Sequence, residues 1–303
     1  MKINNMKINF IRNVNNLEDR LVDLSLNEVL KTIIIGVVEG LTEWLPISST
    51  GHMILVDEFV KLDVSKQFMD MFLVVIQLGA ILAVVVLNFE KLNPFSPWKS
   101  RLQKQNTFKL WYKVIIACIP AAVIGLPLND WMEDHLMTTP IVASMLIIYG
   151  ILFIIVENYN RYRIPRARDV EHLDYKTALL IGIFQVLALV PGTSRSGATI
   201  LGGILLGASR QVAAEFTFYL AIPVMLGASL LKLFKFGLNY TGAEVLILII
   251  GMATAFIVSI LSIKFLLHYI KKNDFTAFGW YRIVLGVIVF IYLFLIGDPI
   301  INN

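Results

Sequence analysis

The sequence EGLTEWLPISSTGH, residues 39–52, decides the fold because it places charged and hydroxyl side chains inside an apolar segment. Pro46 interrupts that segment midway, and a second interrupted apolar segment contains PGTSRSGAT, residues 191–199. Broken polar backbone is tolerated at membrane depth only where protein or a water-filled cavity surrounds it. We therefore predict two re-entrant helical hairpins, over residues 30–56 and 177–208.

The composition is that of a membrane protein. The 303 residues are 57% hydrophobic and 16% charged, with a mean hydropathy of +0.74, whereas soluble chains are about 45–50% apolar and about 25% charged. Six further apolar segments are long enough to cross a hydrocarbon core of ~30 Å as helices. These predicted spans are residues 68–87, 110–128, 140–156, 211–233, 245–267 and 280–296. The predicted fold class is thus an all-α polytopic membrane protein.

The two halves of the chain share local sequence, which indicates an internal repeat. GVVEGLTEWLP at 36–46 resembles GIFQVLALVP at 182–191, with Gln185 in the place of Glu39. Each half contains one hairpin and three spans, and an odd number of spans inverts the second half, so that the hairpin tips meet near the middle. The predicted organisation is one membrane domain, 1–303, with an amphipathic helix at 1–29, a first repeat at 30–157 and a second repeat at 177–297.

The loop charges alternate in sign as this topology requires. The loop at 88–109 and the sequence RYRIPRAR at 161–168 are basic, which predicts a cytoplasmic position. The loop at 129–139 is acidic and can face outside, so both termini are predicted to lie outside. The formal net charge of +4 is explained by these loops, and no nucleic-acid partner is expected.

Glu39 and Glu43 are four residues apart, so they stack on one face of a helix. A buried charge at mid-membrane costs ~3 kcal/mol, and a shared proton, an arginine or a divalent cation would relieve it. Carboxylate oxygens suit Mg²⁺ or Ca²⁺ rather than zinc. The pair is a candidate metal site; an exposed pair at a helix end is the alternative.

Hydroxyl groups follow at the break, where Ser48, Ser49 and Thr50 precede Gly51. Hydroxyls and free backbone N–H groups at the start of a new helix form an anion pocket, although N-capping alone would also explain them. His52 could act as a general base or as a nucleophile on phosphorus. The alternative for His52 is a structural hydrogen bond.

Arg195 lies between Ser194 and Ser196 in the second break. Its planar guanidinium is suited to gripping phosphate, and Thr199, four residues on, adds a hydroxyl on the same face. The alternative is that Arg195 only neutralises the two glutamates.

Together, EGLTEWLPISSTGH and PGTSRSGAT closely resemble the two signature regions of the undecaprenyl-diphosphate phosphatase family, bacterial membrane enzymes linked with bacitracin resistance. The resemblance extends over about residues 30–296. It implies hydrolysis of undecaprenyl diphosphate to undecaprenyl phosphate and inorganic phosphate, which recycles the carrier lipid for cell-wall synthesis. It also implies a divalent cation, Mg²⁺ or Ca²⁺, and an active site that opens to the outer face of the plasma membrane.

Residue chemistry and this resemblance assign the site as follows. The predicted catalytic residues are Glu39, Glu43, Ser49, His52 and Arg195, with Glu39 and Glu43 also binding metal. The predicted substrate-binding residues are Ser48, Thr50, Ser194, Ser196 and Thr199. Ser49 activated by His52 is the preferred nucleophile, and direct attack by His52 or by water stays open.

The expected partners are the polyprenyl diphosphate substrate and membrane lipids, and the sequence leaves a homodimer open. A different class of function is an inverted-repeat secondary transporter, or a lipid flippase, without hydrolysis. Release of phosphate distinguishes an enzyme from a carrier.

Overall fold

The computed structural model describes residues 25–237 and 240–296. Its α-helices are α1 (Leu26–Thr42), α2 (Ser49–Phe59), α3 (Lys66–Val75), α4 (Gln77–Leu87), α5 (Phe89–Leu92), α6 (Arg101–Leu136), α7 (Thr139–Asn160), α8 (Tyr175–Val186), α9 (Arg195–Leu205), α10 (Arg210–Phe236), α11 (Gly242–Tyr269) and α12 (Thr276–Ile296). A 3₁₀ turn, Leu187–Leu189, follows α8.

An N-terminal helix is predicted at 1–29, and its residues 1–24 lie outside the described residues. Its last part is wrong, because α1 begins at Leu26, where Ser25 accepts a hydrogen bond from the N–H group of Glu28 at 3.2 Å. Residues 26–29 therefore belong to the first hairpin arm.

Six helical segments in the described ranges are long and apolar enough to cross a membrane, which confirms the predicted fold class. They are Lys66–Leu87, Arg101–Gly125, Thr139–Asn160, Arg210–Phe236, Gly242–Tyr269 and Thr276–Leu295. The first is divided between α3 and α4. The prediction of 110–128 for the second span was too short: a capping box of Ser100 and Gln103 starts α6 at residue 101, and the helix continues to Leu136.

Each of the two interrupted segments forms a helix, a break and a second helix. The breaks lie at 43–48 and at 190–194. Ser48 and Ser194 cap the helices that follow, with φ values of 74° and 71°, and among the described residues other than glycine they alone have positive φ. The same strained serine cap thus ends both breaks. That the hairpins are re-entrant in a membrane stays a prediction.

Each hairpin packs on the opposite half of the chain. Helix α1 packs along α11, and α8 packs along α6. Glycines permit this approach: a Cβ atom at Gly36 would lie 2.9 Å from the carbonyl oxygen of Gly251, and one at Gly182 would meet that of Ala117. Such an exchange of partners is expected for two halves related by a two-fold axis, and it supports the repeat interpretation.

The basic loops gather at one end of the helix bundle. We call this the basic end, formed by residues 88–100, 161–174, 206–210 and 270–275. Glu157 connects two of its parts, because its carboxylate accepts from Arg210 at 2.5 Å and from the N–H group of Phe275 at 3.0 Å. Loops predicted to share the cytoplasmic side are therefore neighbours in the fold.

The glycine contacts predict the stability of two matched variants. In Gly40→Ala, the new Cβ would lie 2.8 Å from the carbonyl oxygen of Ala255. Overpacking of this kind costs about 1–3 kcal/mol, so we expect a lower unfolding temperature in detergent. In Gly227→Ala, no atom lies within 4 Å of the new Cβ, and stability should be unchanged or higher. Equal unfolding temperatures for the two variants would contradict the packing.

Candidate active site

The two predicted carboxylates lie at the C-terminal end of α1. Glu39 is in the last turn and Glu43 is the C-cap residue, and they are 2% and 8% exposed. The Oε1 atom of Glu39 is buried and has no hydrogen-bond partner. A buried acceptor without a partner is costly, so this oxygen needs a partner that the described part of the chain does not supply.

Arg195 is the first residue of α9 and joins the two halves of the protein. Its Nη2 donates to Glu43 Oε1 at 3.1 Å, and its Nη1 donates to the carbonyl oxygen of Thr217 at 3.0 Å. The guanidinium also lies over the ring of Trp44, 5.8 Å from its centroid. The Nε atom is buried without a partner. The structure therefore brings the arginine of one break onto a carboxylate of the other.

His52 does not hydrogen-bond to Ser49, although activation of Ser49 by His52 would require that bond. Its Nδ1 lies 2.7 Å from the carbonyl oxygen of Ser48, and its Nε2 lies 2.7 Å from the hydroxyl of Tyr281. A carbonyl only accepts, so Nδ1 carries the proton and Nε2 accepts in the neutral ring. The Ser49 hydroxyl donates instead to Glu43 Oε2 at 3.3 Å. Both ring nitrogens are therefore engaged, Nδ1 by the carbonyl oxygen of Ser48 and Nε2 by a tyrosine of α12 that sequence reasoning did not place here.

The remaining predicted hydroxyl groups divide into internal and accessible ones. Ser48 and Ser194 accept N–H bonds as helix caps. Ser196, which is buried, donates to the carbonyl oxygen of Leu45 at 3.3 Å. Thr199, also buried, donates to the carbonyl oxygen of Arg195 at 2.8 Å and accepts from Thr217 at 2.8 Å.

Ser196 and Thr199 thus hold the two breaks and α10 together. Thr50 is half-buried in the first turn of α2, and Ser49, Ser194 and Arg195 are likewise partly accessible.

Arg282 is a residue of the site that sequence reasoning missed. It lies in α12, is fully buried, and donates to the carbonyl oxygens of Pro46 at 3.2 Å, Gly192 at 2.8 Å and Thr193 at 2.9 Å. One guanidinium therefore holds both helix breaks. The signal was an arginine within the apolar span 280–296, since charges in such segments mark buried polar contacts.

An apolar cavity of about 410 Å³ lies beside the first break. His52 and Tyr281 line it together with Leu41, Leu45 and Phe278. It reaches from the hairpin tip toward the connection between α11 and α12. A long apolar group could lie there while a polar head group contacts the break.

The oxygen atoms of the site fit a divalent cation in part. Within the described ranges, no group of three or more His, Cys, Asp or Glu side chains is placed to hold a metal ion. Glu39 and Glu43 supply carboxylate oxygens, and Glu39 Oε1 is without a partner. Mg²⁺ is commonly bound by one or two carboxylates together with substrate phosphates, so the pair would need phosphate oxygens to complete the shell.

Fold and site define a polytopic helical membrane protein in which two broken segments form a buried site of carboxylate, hydroxyl and guanidinium groups. The chain belongs to the family described as bacitracin resistance protein BacA, whose model matches residues 32–288.

A protein of Desulfitobacterium hafniense named undecaprenyl-diphosphatase is 63% identical over 270 residues, 89% of this chain and 97% of the relative. A protein of Limosilactobacillus fermentum with the same name is 62% identical over 273 residues, 89% of this chain and 99% of the relative.

Replacement of Arg282 should loosen both breaks together. In Arg282→Met, the carbonyl oxygens of Pro46, Gly192 and Thr193 lose a buried donor, at a cost of about 1–3 kcal/mol for each acceptor left unsatisfied. Hydrogen exchange followed by mass spectrometry should show faster exchange in both breaks. Arg163→Met, at an exposed position, is the control and should leave both unchanged. Faster exchange in one break alone would contradict the bridging role.

Proposed function

We propose that this protein hydrolyses undecaprenyl diphosphate to undecaprenyl phosphate and inorganic phosphate. The observation that carries the proposal is the contact between Arg195 and Glu43, because it brings a guanidinium, a carboxylate and the hydroxyl of Ser49 together. Family membership and the printed name of the relatives support the same reaction. Hydrolysis would recycle the carrier lipid for cell-wall synthesis and confer bacitracin resistance.

The apolar cavity suits the lipid part of this substrate. A lipid diphosphate has a long apolar tail that stays in the bilayer and a charged head group that must be neutralised. The cavity beside His52 would hold the start of the tail, while the head group lies between the two breaks. Catalysis then consists mainly of positioning and of stabilising charge on the transferred phosphoryl group.

In the proposed reaction, Arg195 binds oxygens of the terminal phosphate. The Ser49 oxygen attacks the terminal phosphorus, the bond to the bridging oxygen breaks, and undecaprenyl phosphate leaves. Glu43 takes the proton of Ser49, since it already accepts from that hydroxyl at 3.3 Å. Water then attacks the phosphoserine and releases inorganic phosphate. His52 orients the loop through Ser48 and Tyr281, and direct attack by His52 or by water is the alternative to be tested.

A divalent cation, Mg²⁺ or Ca²⁺, is the proposed cofactor, held by Glu39 and Glu43. When bound, it would neutralise charge on the diphosphate. The unpartnered Oε1 of Glu39 supports this assignment. The side chains of Ser48, Thr50, Ser194, Ser196 and Thr199 would shape the surrounding substrate pocket, the buried ones by holding the breaks in place.

We place the protein in the bacterial plasma membrane with its active site open to the outer face. The gathering of basic loops at one end supports a cytoplasmic position for that end. The apolar cavity extends toward the same end, the direction in which the tail of an outward-facing head group would run. A homodimer also remains a proposal.

Loss of either member of the central ion pair should abolish phosphate release. We expect Arg195→Ala and Glu43→Gln each to lower kcat/KM for a lipid diphosphate by about 10²-fold or more, because transition-state charge loses its partner. Arg101→Ala, at the exposed start of α6, is the control and should be fully active. Near-normal turnover in both site variants would refute the proposal. Transport of lipid without phosphate release by the wild-type protein would favour a carrier.

Trapping the reaction intermediate identifies the nucleophile. With substrate labelled in the terminal phosphate, rapid acid quenching should leave acid-stable label on the wild-type protein and none on Ser49→Ala. Label that survives a parallel alkaline quench but not the acid quench would indicate His52, and protein left unlabelled by both quenches during turnover would indicate direct attack by water.

Cation binding can be measured apart from turnover. A ligand that binds the folded state raises the unfolding temperature, so Mg²⁺ or Ca²⁺ should stabilise the purified protein in the presence of inorganic diphosphate. We expect Glu39→Gln to weaken this stabilisation and to raise the cation concentration needed for half-maximal activity about tenfold. Full activity in excess chelator would exclude the cofactor.

A further inference from the structure

A second pocket, of about 470 Å³, lies at the basic end between the loop at 161–168 and the connection from α9 to α10. Six cationic side chains line it: Arg161, Arg163, Arg166, Arg168, Arg210 and Lys271. We call it the basic pocket. Arg195 begins α9 and the basic pocket lies at the other end of that helix. Ten residues at 1.5 Å each separate the two by about 15 Å, so the basic pocket is distinct from the proposed active site.

Backbone hydrogen bonds hold the arginine loop in place over this pocket. The N–H group of Arg166 donates to the carbonyl oxygen of Gly207 at 2.8 Å, and that of Ser209 donates to the carbonyl oxygen of Ala167 at 2.9 Å. Gly207 has a φ of 97°, and a Cβ atom there would lie 3.4 Å from Cδ of Arg166. The backbone of the loop that carries the arginines is therefore fixed to the base of the second hairpin.

The carboxylates that line the basic pocket do not balance its positive charge. Among the described residues that line it, Glu157 is the one carboxylate. Glu157 is 2% exposed, and it is committed to Arg210 and to the N–H group of Phe275. Within residues 25–237 and 240–296, the other five cationic side chains have no carboxylate at ion-pair distance. Five like charges around one cavity repel one another, and a bound anion would relieve that repulsion.

Apolar groups next to these charges indicate an anion that carries an apolar tail. Ile204, Ala208 and Ile270 contribute apolar surface to the pocket. In the adjoining loop, Tyr162 and Ile164 are 88% and 77% exposed. Arginines interleaved with exposed aromatic and aliphatic side chains are typical of a surface that lies against a membrane. The pocket also lies where α7, α10 and α11 reach the end of the bundle.

We propose that the basic pocket binds the phosphate head group of an anionic phospholipid from the membrane leaflet at the basic end. Each Lys or Arg near an anionic surface contributes about 1 kcal/mol, so the pocket should select strongly against zwitterionic lipids. The arginines would contact the phosphate oxygens, Tyr162 and Ile164 would insert beside the acyl chains, and the apolar floor would contact the glycerol.

Native mass spectrometry of the purified full-length protein tests this assignment. Phosphatidylglycerol and phosphatidylcholine with identical acyl chains are offered in equal amounts. We expect the wild-type protein to retain the anionic lipid about tenfold more often, which corresponds to 1.4 kcal/mol. The double variant Arg163→Gln, Arg166→Gln should bring that ratio close to one. The matched control Arg101→Gln, Lys104→Gln removes the same charge from the same end, outside the basic pocket, and should keep the preference.

Several results would overturn the proposal. They are equal retention of both lipids by the wild-type protein, equal loss in the pocket variant and in the control, and displacement of the lipid by millimolar inorganic phosphate. The last would identify free phosphate as the ligand. If the first double variant does not fold, Arg168→Gln with Lys271→Gln, both exposed, replaces it. Phosphate release from lipid diphosphate is measured in parallel, so that failure of the active-site proposal is recognised separately.

Discussion

The ion pair between Glu43 and Arg195 is the interaction on which the rest of the structure depends. Its members come from two broken segments separated by 152 positions, and each would be a costly isolated charge in an apolar interior. The broken backbone around them exposes N–H and C=O groups that also need partners. Contact between the two breaks satisfies both requirements, because the breaks hydrogen-bond to each other and the two charges form an ion pair.

Arg282 and Arg195 contribute to the contact between the two breaks in different ways. Arg282 is fully buried, and its Nη atoms donate to backbone carbonyls of both breaks. Its guanidinium therefore stabilises the fold. Arg195 has one carboxylate partner and a partly accessible side chain. An arriving phosphate could take the place of Glu43 on Arg195, whereas on Arg282 it would have to break several backbone contacts. Arg282 thus holds the backbone of the break that leads into Arg195.

Helix packing also joins the two halves of the chain. Glycines let α1 and α8 approach the carbonyl oxygens of α11 and α6, and close approach maximises the packing that holds helices together in lipid. Each hairpin therefore packs on the opposite half of the chain. The basic loops lie at one end of the helix bundle, where the arginines of residues 161–168 line the basic pocket.

Hydropathy and residue type alone determined the fold class, the six spans and the two breaks, because apolar length and interrupted helices are local properties. They also selected Glu39, Glu43, Ser49, His52 and Arg195 as candidates, since polar groups in an apolar segment stand out. Only the tertiary structure decided which of these side chains touch. Tyr281 and Arg282 lie more than two hundred residues from the first break, and their contacts with His52 and Pro46 depend on how α12 packs. The packing of α12 therefore decides that His52 bonds to Tyr281 and that Arg282 holds the first break, and no local pattern could specify either contact.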